Sequence, residues 1–274
     1  MLHAAPPAPN ERRRMLIRLA ALSALVPAAY PAQAQIALST AINRAARFRA
    51  LSQRCAKAYC QLHLDVLPDN ARDTLAATQR LVQVGFEDLA KGGFPGAITQ
   101  RISEIQQEAA ALSRLLAAPP TKGSIAAVST QADKMLVAAN KATQALEGQT
   151  KVASAKLVNA AGRQRMLSQR LAKNYFMAAA GLDSKPLRDQ INSDSAEFVE
   201  ALKTLEASPL STANIRNELA LGQQQWLFFA SMLARKPDAD GLRTVATTSE
   251  RLLEVMNNLT VLYDAALKDL LGAA

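Results

Sequence analysis

The sequence predicts an all-α protein: two tandem four-helix bundles of up-down-up-down topology, related by internal duplication. Three observations predict it. Gly and Pro number only 11 and 12 in 274 residues and fall in clusters, while Ala and Leu are abundant and aromatics make up 4%. That composition favours helix. Apolar residues recur at helical spacing along most of the chain, interrupted by short punctuation. Finally, Asn43-Arg44-Ala45-Ala46-Arg47-Phe48-Arg49-Ala50-Leu51-Ser52-Gln53-Arg54-Cys55-Ala56-Lys57-Ala58-Tyr59 returns 116 residues later as Asn159-Ala160-Ala161-Gly162-Arg163-Gln164-Arg165-Met166-Leu167-Ser168-Gln169-Arg170-Leu171-Ala172-Lys173-Asn174-Tyr175, identical at 11 of 17 positions without a gap.

The elements follow from the breakers between them. A first helix covers roughly 36–64 and ends before Leu67-Pro68-Asp69. A second covers about 70–91 and stops at Gly92-Gly93-Phe94-Pro95-Gly96, and a third, about 97–117, stops at Pro119-Pro120. A fourth covers about 124–147 and meets Gly148-Gln149-Thr150. The pattern then restarts over about 152–180, 187–206, 213–235 and 241–271, divided by Gly181 to Pro186, Ser208-Pro209 and Lys236-Pro237. Connections this short place neighbouring helices antiparallel.

The repeat extends beyond the motif. Arg72-Asp73 matches Arg188-Asp189 at an offset of 116, Asn140 matches Asn257 at 117, and Gln106-Gln107 matches Gln224-Gln225 at 118. The whole four-helix unit is therefore duplicated, with expected segments at 1–34, 35–149 and 150–274. A turn at Gly148–Thr150, with Thr150 capping the next helix, sets the two first helices side by side. One continuous helix over 124–180, roughly 85 Å long, stacks the bundles end to end instead.

Residues 1–34 read as an export signal. Arg12-Arg13-Arg14 is a positive n-region, Leu16 to Ala29 a modest apolar stretch, and Ala32-Gln33-Ala34 an A-x-A cleavage site before Gln35. Glu11 to Leu16 also resembles a twin-arginine signal, and an uncleaved anchor is the alternative. The expected location is the periplasm. The full chain carries +9; removing 1–34 leaves 28 basic and 22 acidic residues, about +6. A basic balance suits nucleic acid, anionic membrane or small anions. The charge is dispersed, aromatics are few and no nucleic-acid motif is present, which excludes nucleic acid as the expected partner. No stretch after 34 reaches the ~18–20 apolar residues of a span.

Cys55 and Cys60, five apart on one helix, project about 140° apart, a poor geometry for a disulfide. They read as buried small hydrophobes. His63 is the one histidine after residue 34, so no metal, no cofactor and no enzyme are expected.

The chemistry lies in the motif. At 100° per residue, Val158, Ala161, Gly162, Arg165, Gln169 and Ala172 fall within one arc of about 100°, as do Ile42, Ala45, Ala46, Arg49, Gln53 and Ala56. Small residues permit close helix approach, so Arg49 and Arg165 are placed at a helix–helix contact. A buried charge needs a partner, and neither copy contains Asp or Glu. A bound anion is one partner: two guanidinium forks on facing helices suit a planar oxyanion. A carboxylate from elsewhere, such as Glu197, Glu200 or Asp264, is the other. A second arc holds Asn159, Arg163, Arg170 and Lys173, matched by Asn43, Arg47, Arg54 and Lys57. It reads as secondary ligands, ion-pair partners or, for Arg163 and Lys173 above all, a solvated basic face. Gln53 and Gln169 are further secondary candidates, Ser52 and Ser168 back-bonding residues, and Tyr59, Tyr175 and Trp226 core.

Ala161-Gly162-Arg163-Gln164-Arg165-Met166-Leu167-Ser168-Gln169-Arg170 closely resembles the motif of the PilJ-type sensor domain. That domain is the N-terminal periplasmic module of type IV pilus chemotaxis transducers, related to the nitrate/nitrite module of NarX-type kinases. The resemblance implies a four-helix bundle binding nitrate between two symmetry-related first helices, through a glycine and an arginine three residues later. Here those are Gly162 and Arg165; in the first copy Arg49 is kept and Ala46 replaces the glycine. Family modules sit between membrane spans and feed a kinase or methyl-accepting domain, whereas this chain has no second span and no kinase motif. The expected function is periplasmic oxyanion sensing, with the two copies forming an internal pseudo-dimer and a membrane sensor kinase, chemoreceptor or transporter as downstream partner. A homodimer supplies the second half-site if the bundles stack end to end. The alternative is a non-catalytic helical adaptor in which the motif is only structural.

Overall fold

Hydrophobic periodicity broken by Gly and Pro becomes eight α-helices, with no strand among the described residues. The computed structural model describes residues 32–149 and 155–272. The expected export segment lies outside these up to residue 31, as does the expected cap Thr150. The helices are α1 (Ala32–His63), α2 (Pro68–Ala90), α3 (Gly96–Leu116), α4 (Lys122–Glu147), α5 (Ala155–Met177), α6 (Lys185–Glu206), α7 (Ala213–Leu233) and α8 (Ala239–Gly272). Local chemistry sets several ends. Thr121 and Ser124 form a reciprocal capping box on α4, and the Ser184 and Thr212 hydroxyls accept from the first turns of α6 and α7. α5 runs out through a π-helical turn, Ala178–Leu182, in which Gly181 takes φ 75° and ends the helix.

α1 lies antiparallel to α4: Arg49 reaches Asn140 while Tyr59, further along α1, reaches Ser124 near the start of α4. α5 lies antiparallel to α8 in the same way, with Gln169 bonded to Ser249 and Tyr175 close to Gly241.

The most extensive helix contact is between α1 and α5. They run parallel. Ala46 faces Gly162, and further along, Gln53 of α1 and Lys173 of α5 both donate to Asp133. Small residues make this seam close. Ala45, Ala46, Ala56, Ala161, Gly162 and Ala172 are all buried, and a Cβ added at Gly162 would lie 3.7 Å from that of Ala46. The two copies of the motif thus meet side by side within one chain, which sets aside the end-to-end stack of a single 124–180 helix. α8 also packs on α1, and one continuous hydrophobic core runs through all eight helices.

The repeat register shifts along the chain. Buried positions of α2 and α6 correspond at 116 (Thr78 with Asp194, Leu89 with Leu205), those of α3 and α7 at 117 (Ile98 with Ile215, Leu112 with Phe229). The 118 suggested by Gln106-Gln107 and Gln224-Gln225 is corrected to 117. Exposed Gln106 and Gln107 carry no packing constraint, so their identity does not fix a register. Cys55 and Cys60 are both buried and unbridged. Trp226 is core, stacked on Phe198.

Candidate functional site

Arg49 and Arg165 are 1% and 4% exposed. Helical side chains lean toward the N-terminus, and both follow that rule: Arg49 Nε donates to the Ala46 carbonyl at 3.2 Å and Arg165 Nε to that of Gly162 at 3.4 Å. From there each guanidinium crosses the seam. Arg49 Nη2 donates to Asn159 Oδ1 at 2.5 Å on α5, and Arg165 Nη2 to Asn43 Oδ1 at 2.8 Å on α1. The exchange follows the internal two-fold relation, since Asn43 and Asn159 are themselves repeat equivalents. Arg49 has a further acceptor, Asn140 Oδ1 at 3.1 Å on α4.

Among the described residues neither arginine makes an ion pair with a carboxylate. Of the acids named as alternatives, Glu197 holds Arg163, Glu200 pairs with Lys203, and Asp264 bonds Ser39 and Lys268. The electrostatics differ between the two sites. Burial first, then the Arg163 charge, lowers Arg49 to about 10, while Glu147 and Glu197 partly oppose the fall. Burial, then Arg47, then Arg49, lowers Arg165 to about 9, with no carboxylate opposing. Arg165 stays charged at neutral pH in a place that disfavours charge. Gly162 contributes room: a Cβ there would lie 2.9 Å from Arg165 Nη2.

The remaining motif residues are placed as follows. Ser52 and Ser168 back-bond to the carbonyls of Arg49 and Arg165 at 2.9 Å. Gln53 donates to Asp133 at 3.0 Å and Gln169 to the Ser249 carbonyl at 2.9 Å, and each leaves its buried Oε1 without a partner among the described residues. Arg163 pairs with Glu197, and Arg170 grips buried Asp194 through two bonds at 2.6 and 2.7 Å. Arg54 and buried Lys57 converge on Glu250 of α8, and buried Lys173 reaches Asp133 of α4 at 2.9 Å. The solvated face expected for Lys173 is thereby corrected. α4 packs over the seam and covers it, and Asp133 supplies the counter-charge that burial demands. Arg163 is half-buried in its ion pair.

Arg47 is the exception. Its counterpart Arg163 has Glu197, but the register puts Leu81 in that place, and Thr78 in the place of Asp194. Arg54 therefore crosses to Glu250, and Arg47 makes no hydrogen bond to a described residue. Burial, then Arg54, lowers its pKa. Arg47 and Arg165 share a pocket of about 430 Å³ with Asn43 and Asn257. At its walls Arg44 is neutralised by Asp88 at 2.7 Å and Lys268 by Asp264 at 2.7 Å, which leaves Arg47 and Arg165 without a carboxylate partner among the described residues. Asn257 is the repeat equivalent of Asn140. The asparagines were visible in the sequence as repeated residues; their role as acceptors for the arginines was not.

The geometry is that of an all-α helical bundle with an electropositive seam, and one known family resembles part of the chain. Residues 149–229 match the PilJ family model, described as the N-terminal domain of type IV pili methyl-accepting chemotaxis transducers. The match takes in α5, α6 and most of α7, including Gly162 and Arg165, and gives this segment the character of a signal-transduction sensor domain. No curated protein and no solved structure matches the chain.

Proposed function

We propose that the chain senses a small oxyanion, nitrate or nitrite, held at Arg165 in the seam between α1 and α5. One observation carries this reading. Arg165 is buried and faces a pocket that also holds Arg47, and neither meets a carboxylate among the described residues. A planar anion accepts two parallel bonds from one guanidinium fork. Asn43 and Asn257 offer amide donors beside it, and Arg49 adds positive potential from across the seam. Charge-assisted bonds of this kind contribute about 1.5–3 kcal/mol each. Two copies in one chain supply what the resembled nitrate sensors assemble from two chains. Periplasmic location and a read-out through a membrane kinase, chemoreceptor or transporter belong to the same proposal. α7 exposes Leu221, Leu227 and Phe228, which favours an adaptor-like contact with that partner; this second reading needs no ligand.

Isothermal titration with sodium nitrate and sodium nitrite tests the first reading. Saturable heat that disappears in Arg165→Ala but persists in Arg163→Ala is expected. No heat from either anion, or heat unchanged in Arg165→Ala, would overturn it.

A further inference from the structure

The two halves differ in how they fill the space between their second and third helices. In the second half Phe198 of α6 and Trp226 of α7 stack with ring centroids 4.3 Å apart and planes 16° apart, and Phe229 meets Trp226 edge-on at 6.2 Å. The packing registers give the first-half counterparts: Val82 for Phe198 and Ala109 for Trp226, with Leu112 for Phe229 and, on the first helices, Cys55 for Leu171. These four exchanges are to smaller or less extended side chains; Phe86, in place of Leu202, is larger and stacks on Phe48 with ring centroids 4.4 Å apart. The helices have not closed over the loss. A pocket of about 430 Å³ stands between α2 and α3, and Cys55, Val82, Ala109 and Leu112 all line it.

The pocket opens to solvent, so water in it lies against largely apolar walls, and an apolar ligand that displaces that water gains burial. Its volume falls within the range of about 300–1,000 Å³ usual for small-molecule sites. Phe86 and Met135 complete an apolar interior, Gln79, Gln83, Gln106 and Ser113 offer donors and acceptors, and no charged residue lines it. It shares no lining residue with the arginine pocket and lies outside residues 149–229.

We propose that the pocket between α2 and α3 binds a small, neutral, planar aromatic molecule of about indole size, which takes the place that Phe198 and Trp226 fill in the other half. A flat ring fits a slot between two helices whose repeat counterpart is packed with stacked rings. The carboxamides of Gln79, Gln83 and Gln106 serve a polar ring edge such as an indole N–H. The uncharged lining discriminates against an ionised ligand, whose charge would lose hydration without gaining a partner.

The test is calorimetric titration of the full chain with indole, with indole-3-acetate as the charged analogue. Saturable indole binding, weaker binding of indole-3-acetate, and a rise in Tm with indole are expected. Val82→Phe and Ala109→Trp, which restore the second-half residues, should each weaken indole binding about tenfold or more. Val82→Phe adds less bulk and serves if Ala109→Trp loses its helical circular dichroism. Arg165→Ala should leave indole binding intact, so failure of the anion reading and failure of this one are separable. No saturable indole binding, tighter binding of indole-3-acetate, or affinity unchanged in a folded Val82→Phe variant would each overturn the proposal.

Discussion

Tyr59 and Tyr175 occupy equivalent places along the repeat, yet among the described residues only the Tyr59 hydroxyl has hydrogen-bond partners. Its hydroxyl donates to the Ala118 carbonyl at 2.8 Å and meets Ser124 Oγ at 3.0 Å. The counterpart of Ser124 is Gly241, and the buried Tyr175 hydroxyl is left without a partner. The two Tyr→Phe substitutions should therefore differ. Tyr59→Phe should cost about 1 kcal/mol, the net worth of an ordinary hydrogen bond. Tyr175→Phe should be neutral or stabilising, because it removes an unsatisfied buried group. Urea unfolding of both variants checks this, and equal losses would contradict it.

Gly162→Ala separates backbone from site. Alanine is favoured over glycine in a helix by about 1 kcal/mol, and the new methyl meets Ala46 at ordinary contact distance. Its close neighbour is the flexible end of Arg165, 2.9 Å away. The fold should hold or gain stability while nitrate affinity drops about tenfold, as read by denaturation and calorimetry on the same sample.

Leu81→Glu gives Arg47 the carboxylate that Arg163 already has. Leu81 lines the arginine pocket, so the new charge neutralises Arg47. The variant should fold, and its nitrate affinity should fall about tenfold or more. Unchanged affinity would show that Arg47 takes no part in binding.

Glu250 makes stability depend on acid. Burial alone would raise its pKa, but the charges and hydrogen bonds of Lys57 and Arg54 outweigh burial and hold it at about 2, against an ordinary 4.5. A carboxylate with a depressed folded pKa contributes stability above its unfolded pKa and loses it as pH falls toward the folded value. Unfolding free energy should thus decline from about pH 4.5 toward pH 2. Glu250→Gln leaves buried Lys57 without a carboxylate and should cost about 3–5 kcal/mol at pH 7. The gap between variant and parent should narrow between about pH 4.5 and about pH 2 in urea titrations.

The helices were legible because they are written locally, in 3.6-residue periodicity and Gly and Pro breaks. The burial of Arg49 and Arg165 was legible too, since alanines and a glycine surround them on one arc. Lys173 was not, because its burial comes from α4, an element 40 residues away in sequence at Asp133. Nor was the asymmetry of the arginines. Glu197 and Leu81 become comparable only once packing has fixed the register of α2 against α6, and matched glutamines on an exposed face mislead by one residue in α3 against α7.

Lys57 depends on Glu250 and Lys173 on Asp133, so each half provides the counter-ion for the other's most deeply enclosed ammonium. Cutting the chain between α4 and α5 would strand one lysine in each fragment. Expressed apart, the fragments should be soluble poorly or not at all; expressed together, they should reassociate into a noncovalent heterodimer that elutes as one species. The repeated motif is thus tied across the chain by mutual dependence rather than held twice over.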